Sequence, residues 1–261
     1  MSTGLQLRSI TLRVPDLARS LGFYADRLGF TVQSHSTVRV ELAADPGGPA
    51  GVVLEEDRPA APASGDNAGL FHAALLLPNR AALGAWLSRA AEAGVEFDGF
   101  ADHGVSDALY LADPDGNGLE FYADRPRETW PRAADGELAM HTRTLDLRKL
   151  VAEGTGITNA PLSGARWGHL HLRVTDLDRS EAFYRATLGM ETMQRSFPGA
   201  RFLAADGYHH HLGLNTWGQP RLPRPPGALG LANAVFAKRG TAPADLTDPD
   251  GIGIRIEPVG D

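Results

Sequence analysis

Two ionisable side chains stand inside apolar runs. His72 lies in Leu70-Phe71-His72-Ala73-Ala74-Leu75-Leu76-Leu77, and Glu120 lies in Leu119-Glu120-Phe121-Tyr122, directly after the turn Asp113-Pro114-Asp115-Gly116-Asn117-Gly118. Desolvating an ionised carboxylate without a partner is costly, and one divalent cation would satisfy both groups. Further along, His169 and His171 alternate with Leu170 and Leu172, which puts both imidazoles on one face of a strand. The run His209-His210-His211 is flanked by Phe202-Leu203 and Leu212, so burial is expected rather than a solvated tract. There is no cysteine, so disulfides, thiolate sites and cysteine nucleophiles are excluded. A metal would be held by nitrogen and oxygen, which suits Fe(II), Mn(II) or Zn(II).

Each residue also has a plainer reading. Taken singly, His72 would be a packed core histidine and Glu120 an edge-strand surface residue, but on the first and last strands of one unit they read better as a ligand pair. His103 is otherwise a loop residue and Tyr110 a strand aromatic. His141 reads as solvated or lightly packed, and the pairs Phe23-Tyr24 and Phe183-Tyr184 as packing on a helix.

The elements that must position these residues come as a repeat. Leu12-Arg13-Val14-Pro15-Asp16-Leu17, then Arg19-Ser20, Phe23-Tyr24 and Leu28-Gly29, returns in register as Leu172-Arg173-Val174-Thr175-Asp176-Leu177, then Arg179-Ser180, Phe183-Tyr184 and Leu188-Gly189. Each copy predicts an alternating strand, an aspartate that N-caps a helix, and a helix ended by glycine. Strands are then predicted over 30–33, 37–42 and 52–55, a β-α-β-β-β unit. A second unit runs from the strand at 70–77 through a helix over 81–93 to strands near 95–97, 108–111 and 119–122. The Asp248-Pro249-Asp250-Gly251 turn marks a fourth, degenerate unit with a strand at 231–237 and almost no room for a helix. The fold class is thus α+β, with four units. The halves are 5–123 (units 5–57 and 69–123) and 166–261 (units 166–217 and 227–261), joined by a polar connection over 124–165. Leu145, Leu147, Leu150 and Val151 mark one short amphipathic helix there.

The 261 residues, 43% of them hydrophobic, suffice for two ordinary domains. A net charge of −7 without any basic run argues against a nucleic-acid partner. No signal-like leader or membrane-length apolar stretch is seen, so a cytoplasmic protein with no membrane partner is expected. Homo-oligomerisation is left open.

Four such units, the turn-and-strand Asp113-Pro114-Asp115-Gly116-Asn117-Gly118-Leu119-Glu120, and His169 ahead of Leu172-Arg173-Val174 resemble the vicinal oxygen chelate superfamily, that is, the glyoxalase, bleomycin-resistance and dioxygenase proteins. The resemblance implies paired cup-shaped sheets with ligands on the first and last strand of a unit. The second unit is most similar to the catalytic half of type I extradiol dioxygenases of the catechol 2,3-dioxygenase kind. That likeness implies His72, His169 and Glu120 as ligands of Fe(II), with Mn(II) as the alternative. It also implies His210, on the third unit's last strand, as the acid-base residue, and His103 and Tyr110 as groups binding the substrate. His209 and His211 would then face away from His210. A catechol-type aromatic and O2 would be the partners of the reaction.

The pairing departs from the pattern. Ser9, Asn233 and Arg255 occupy the other ligand positions, so neither first with second nor third with fourth gives a complete set. Second with third does, and the site is expected to bridge the halves of the chain or two subunits. A connection of about 40 residues at roughly 3.3 Å each has the reach. The rival readings are a glyoxalase-type metal-dependent isomerase or lyase, which would want a second carboxylate where His210 stands, and a metal-free small-molecule-binding protein like the bleomycin-binding ones.

Overall fold

Alternation in Leu7, Ile10, Leu12 and Val14 drives β1 (Gln6–Val14), whose buried positions are these four. The Asp16 carboxylate accepts from the Arg19 amide and starts α1 (Leu17–Leu21), which runs on as π-helical turns over Gly22–Arg27 and stops at Gly29, where φ is +90°. Strands β2 (Thr31–His35), β3 (Arg39–Ala43) and β4 (Val52–Glu56) complete the first unit. The second is β5 (Gly69–Leu76), α2 (Arg80–Glu92), β6 (Gly99–Asp102), β7 (Ser106–Ala112) and β8 (Gly118–Asp124). The connection holds α3 (Leu147–Gly154). Then come β9 (Arg166–Arg173), α4 (Leu177–Leu188), β10 (Glu191–Gln194), β11 (Ala200–Ala204) and β12 (Leu212–Asn215). The fourth unit is β13 (Gly230–Lys238), β14 (Ala244–Thr247) and β15 (Gly253–Pro258), without a helix. This computed structural model describes residues 2–62, 64–219 and 222–259.

Two sequence expectations shift. The strand near 95–97 begins instead at Gly99, because Gly94 (φ +74°) and the Val95 amide, bonded to the Ala90 carbonyl, finish α2. The His209-His210-His211 run is not strand: Asp206 and Gly207, both at positive φ, turn the chain after β11, and β12 starts only at Leu212.

The strands form two sheets, a seven-stranded one in the order β14-β15-β13-β1-β4-β3-β2 and an eight-stranded one in the order β10-β11-β12-β9-β5-β8-β7-β6. The first unit therefore joins the fourth through antiparallel β1 and β13, and the second joins the third through antiparallel β5 and β9. Each sheet draws one unit from either side of the connection, all within one chain.

One apolar core fills the space between the sheets and helices. Trp86 of α2 stacks on Phe121 of β8 at 3.7 Å and donates from Nε1 to the Leu28 carbonyl of the first unit (3.1 Å). The two Asp-Pro-Asp-Gly turns anchor a helix of the preceding unit: Tyr24 donates to Asp113 (3.1 Å) and Tyr184 to Asp248 (2.8 Å), both buried. Sheet pairing thus links units across the halves, while these hydrogen bonds link units within each half.

The connection does more than tether. The Leu138 amide donates to the Met193 carbonyl at the β10 edge (3.2 Å), and Arg143 exchanges two backbone hydrogen bonds with Asp102 at the β6 edge (2.9 Å each). The segment between them spans the hollow face of the eight-stranded sheet, where Trp130, Leu138 and Met140 pack with Val105, Phe202 and Tyr208. Among the described residues, no helix is long and apolar enough to cross a membrane.

Candidate metal centre

The hollow face of the eight-stranded sheet carries the chemistry because of register. Ala74 of β5 lies opposite His169 of β9 on one side and beside Glu120 of β8 on the other, and His72 lies opposite His171. The pleat sends His72, Glu120 and His169 to the face away from α2. Their ligand atoms lie within 4.8 Å of one another, and all three side chains are buried. Glu120 Oε2 is 2.9 Å from His72 Nε2 and 3.1 Å from His169 Nε2. Adjacent donors each roughly 2.1 Å from a shared ion would sit ~3.0 Å apart.

A metal fits this donor set. The His72 contact is short yet lacks hydrogen-bond alignment, leaving Nε2 a buried nitrogen with no partner among the described residues, and a divalent ion is the partner it wants. Burial brings His169 down to about 4, against the pull of Glu120, so its imidazole is neutral and free to ligate. Burial alone would raise Glu120, but His169 and His72 outweigh it and hold the carboxyl well below its usual range. Two imidazoles and one carboxylate match the facial set of non-haem Fe(II) oxygenases.

The seven-stranded sheet repeats this register without its ligands. Val235 lies opposite Ser9 and beside Arg255, and Asn233 lies opposite Thr11. Arg255 points outward to Asp245 and Glu257.

The other sequence-predicted residues reach the same place. A cavity of ≈ 420 Å³ opens onto the ligand set and is lined by His72, Glu120, His103, Tyr110 and His210 among others. His103, in the β6–β7 hairpin, meets the His141 carbonyl through Nδ1 (2.7 Å) and Tyr110 Oη through Nε2 (2.6 Å). A carbonyl only accepts, so His103 donates from Nδ1 and Tyr110 donates to Nε2. Burial, then Glu120, lifts the Tyr110 phenol well above its ordinary range. His171 also lines the cavity, its ring 4.8 Å from that of His72, but its nitrogens lie outside the three-residue group.

His210 packs against His169 with ring centroids 4.0 Å apart and planes tilted by 48°. Its loop placement overturns the alternation argument: freed from the ladder, His209 turns inward beside it, with Nδ1 to Nδ1 at 2.7 Å, and His209 Nε2 is 2.8 Å from Asp124 Oδ1. A carboxylate fixes the order. His209 donates to Asp124 and accepts from His210 Nδ1, which leaves the His210 Nε2 lone pair uncommitted. Burial and then the neighbouring His169 and His209 push His210 well below the usual imidazole range. Sequence reasoning missed Asp124, assigned to the connection, and His209. Their signal was only the position of Asp124 at the end of the Glu120 strand.

The profile of the family described as the Glyoxalase/Bleomycin resistance protein/Dioxygenase superfamily matches residues 6–121 and 166–239. A curated relative, the catechol-2,3-dioxygenase of Bacillus subtilis (strain 168), is 42% identical over 230 residues, covering 84% of this chain and 78% of the relative. A solved structure from Bacillus subtilis subsp. subtilis strain 168 superposes with a TM-score of 0.68 at 12% identity, covering 99% of this chain and 86% of that one. Glyoxalase I from Zea mays superposes with a TM-score of 0.58 at 17% identity, covering 97% and 92%. These two likenesses speak for the fold, and the profile and the curated relative speak for descent: the chain belongs to the glyoxalase, bleomycin-resistance and dioxygenase superfamily, with its vicinal oxygen chelate fold.

Proposed function

We propose that this chain is an extradiol ring-cleavage dioxygenase of the catechol 2,3-dioxygenase type, using a non-haem Fe(II), or Mn(II), held by His72, His169 and Glu120. The observation that carries the reading is the convergence of those three donors on the floor of a cavity beside His210. The name of the 42%-identical relative supports it.

When bound, the metal supplies acidity to a coordinated hydroxyl and a site for O2. The chain's own residues do the rest. His210, whose Nδ1 proton is committed to His209, offers Nε2 to take and return a proton at the substrate oxygen nearest the attacked ring carbon. Tyr110, its proton committed to His103, offers its phenolic oxygen to accept from a second substrate hydroxyl. Met140 of the connection and Phe202 present apolar surface to the ring.

A glyoxalase-type reaction is less well supported, because His210 rather than a second carboxylate stands beside the ligand group. The test is anaerobic purification with metal analysis, then oxygen uptake and a yellow ring-cleavage product from a panel of catechols. Retention of iron without oxygen uptake on any catechol would overturn the proposal, as would a purified protein that holds no metal after anaerobic reconstitution.

A further inference from the structure

Residues that the metal chemistry leaves unused make the wall of the same cavity. Phe71, Phe197, Phe202, Trp217, Met140 and Val105 line it, and among the described residues the lining contains no lysine or arginine. The acidic residues among the described lining are Glu120 and Asp98. The aromatic rings form a connected band: Phe71 to Trp217 at 5.4 Å, Trp217 to Phe197 at 6.0 Å, and Phe197 to Phe202 at 5.7 Å. The band reaches the reacting centre through Phe202, 5.0 Å from His210.

Phe71 has no business there by alternation. As the neighbour of His72 it should face the opposite side of β5. The ladder between β5 and β9 shifts register between Leu70 and His72, and this irregularity sets Phe71 and His72 on the same cavity, ring centroids 5.1 Å apart. Such irregularities re-aim side chains. Room for it comes from Gly118, where a Cβ would stand 2.0 Å from the Phe71 carbonyl oxygen. Phe71 is 37% exposed, a large apolar side chain held at the mouth without helping to fill the core.

We propose, resting on the dioxygenase reading, that the substrate is a catechol bearing an uncharged apolar substituent, alkyl or aryl, which lies against the Phe71, Trp217 and Phe197 wall. The cavity of ≈ 420 Å³ falls within the roughly 300–1,000 Å³ of pockets for molecules larger than a single ring. A carboxylate on the substituent would find no cation among the described lining residues to replace its hydration and would face Asp98 and Glu120. Apolar groups seated in such a wall are worth roughly 10–200-fold in kcat/KM per added carbon unit at best.

The test uses the anaerobic Fe(II) protein, titrated without oxygen with catechol, 4-ethylcatechol, 3-phenylcatechol, 3,4-dihydroxybenzoate and 4-(2-aminoethyl)catechol, followed by tryptophan fluorescence with Trp217→Phe as the control. The expected order is alkyl and aryl catechols tightest, by at least about tenfold over catechol, with the carboxylated ring weakest. The same order is expected in kcat/KM when oxygen is admitted. Phe71→Ala should lower the preference for the substituted rings over catechol, and Phe71→Arg should raise binding of 3,4-dihydroxybenzoate. If the carboxylated or the amino compound binds tighter than the alkyl and aryl ones, the inference is wrong while the dioxygenase reading stands. If catechol is neither bound nor cleaved, that reading fails and takes the inference with it.

Discussion

His211 offers a test of the burial argument that does not touch the metal. It lies outside the ligand group and the cavity lining, its Nδ1 accepts the Ala205 amide (3.2 Å), and burial lowers it from 6.5 to about 4. Its folded pKa is depressed below the unfolded value. The unfolded chain therefore binds the extra proton between these values, and the contribution to stability is complete above pH 6.5 and is lost as pH falls towards 4. At pH 5 the linkage relation gives a loss of about 2 kcal/mol relative to pH 7.5. That is a large part of a typical total of about 5–15 kcal/mol. His211→Asn keeps an acceptor near Nδ1 but cannot titrate. In urea unfolding of the metal-free protein at pH 7.5 and pH 5, wild type should lose about 2 kcal/mol more than the variant between the two conditions. Equal losses would refute the claim that His211 is held neutral by its surroundings.

Three further outcomes are expected. His72→Ala, His169→Ala and Glu120→Ala should each fold yet fail to hold stoichiometric iron, by metal analysis after desalting, because two remaining donors hold a labile ion poorly. His210→Phe should keep iron and catechol binding but lower kcat by roughly 10²–10⁴-fold, the usual contribution of a positioned acid-base group, and stopped-flow turnover would check it. Gly168→Ala should destabilise by about 1–3 kcal/mol and disturb metal retention, since the new Cβ would stand 1.7 Å from Tyr122 Oη, next to His169. Thermal unfolding and iron content measured on the same sample would show both effects.

The repeat made much of the fold legible. Asp16 and Asp176 cap their helices as their type and position imply, and the Asp-Pro-Asp-Gly turns fall where the sequence puts them. Substitutions at Ser9, Asn233 and Arg255 pointed to second-with-third pairing, which is the pairing of the sheets. Three features were hidden. Strand alternation misjudged His209 because the two positive-φ residues after β11 are an aspartate and a glycine whose turn could as well have closed a hairpin. The irregularity at Phe71 leaves no mark in composition, since its cause is a backbone approach permitted by Gly118, far along the chain. The 124–165 connection looked like a tether because Leu138, Met140 and Arg143 meet β6 and β10 through their own backbone groups, which side-chain pattern does not report.

The interleaving of units also sets a timetable for synthesis. β1 finds β4 early but must wait for β13, with Ser9 opposite Val235. At about 5–20 residues per second, roughly 10–45 s pass between the emergence of the two. Through that interval one edge of β1 and the apolar residues Ile10 and Leu12 have no final partner, and such an edge recruits other strands. Of the pairings that join units, that of β1 with β13 waits longest, and a chain halted before residue 230 would carry this sheet edge unpaired.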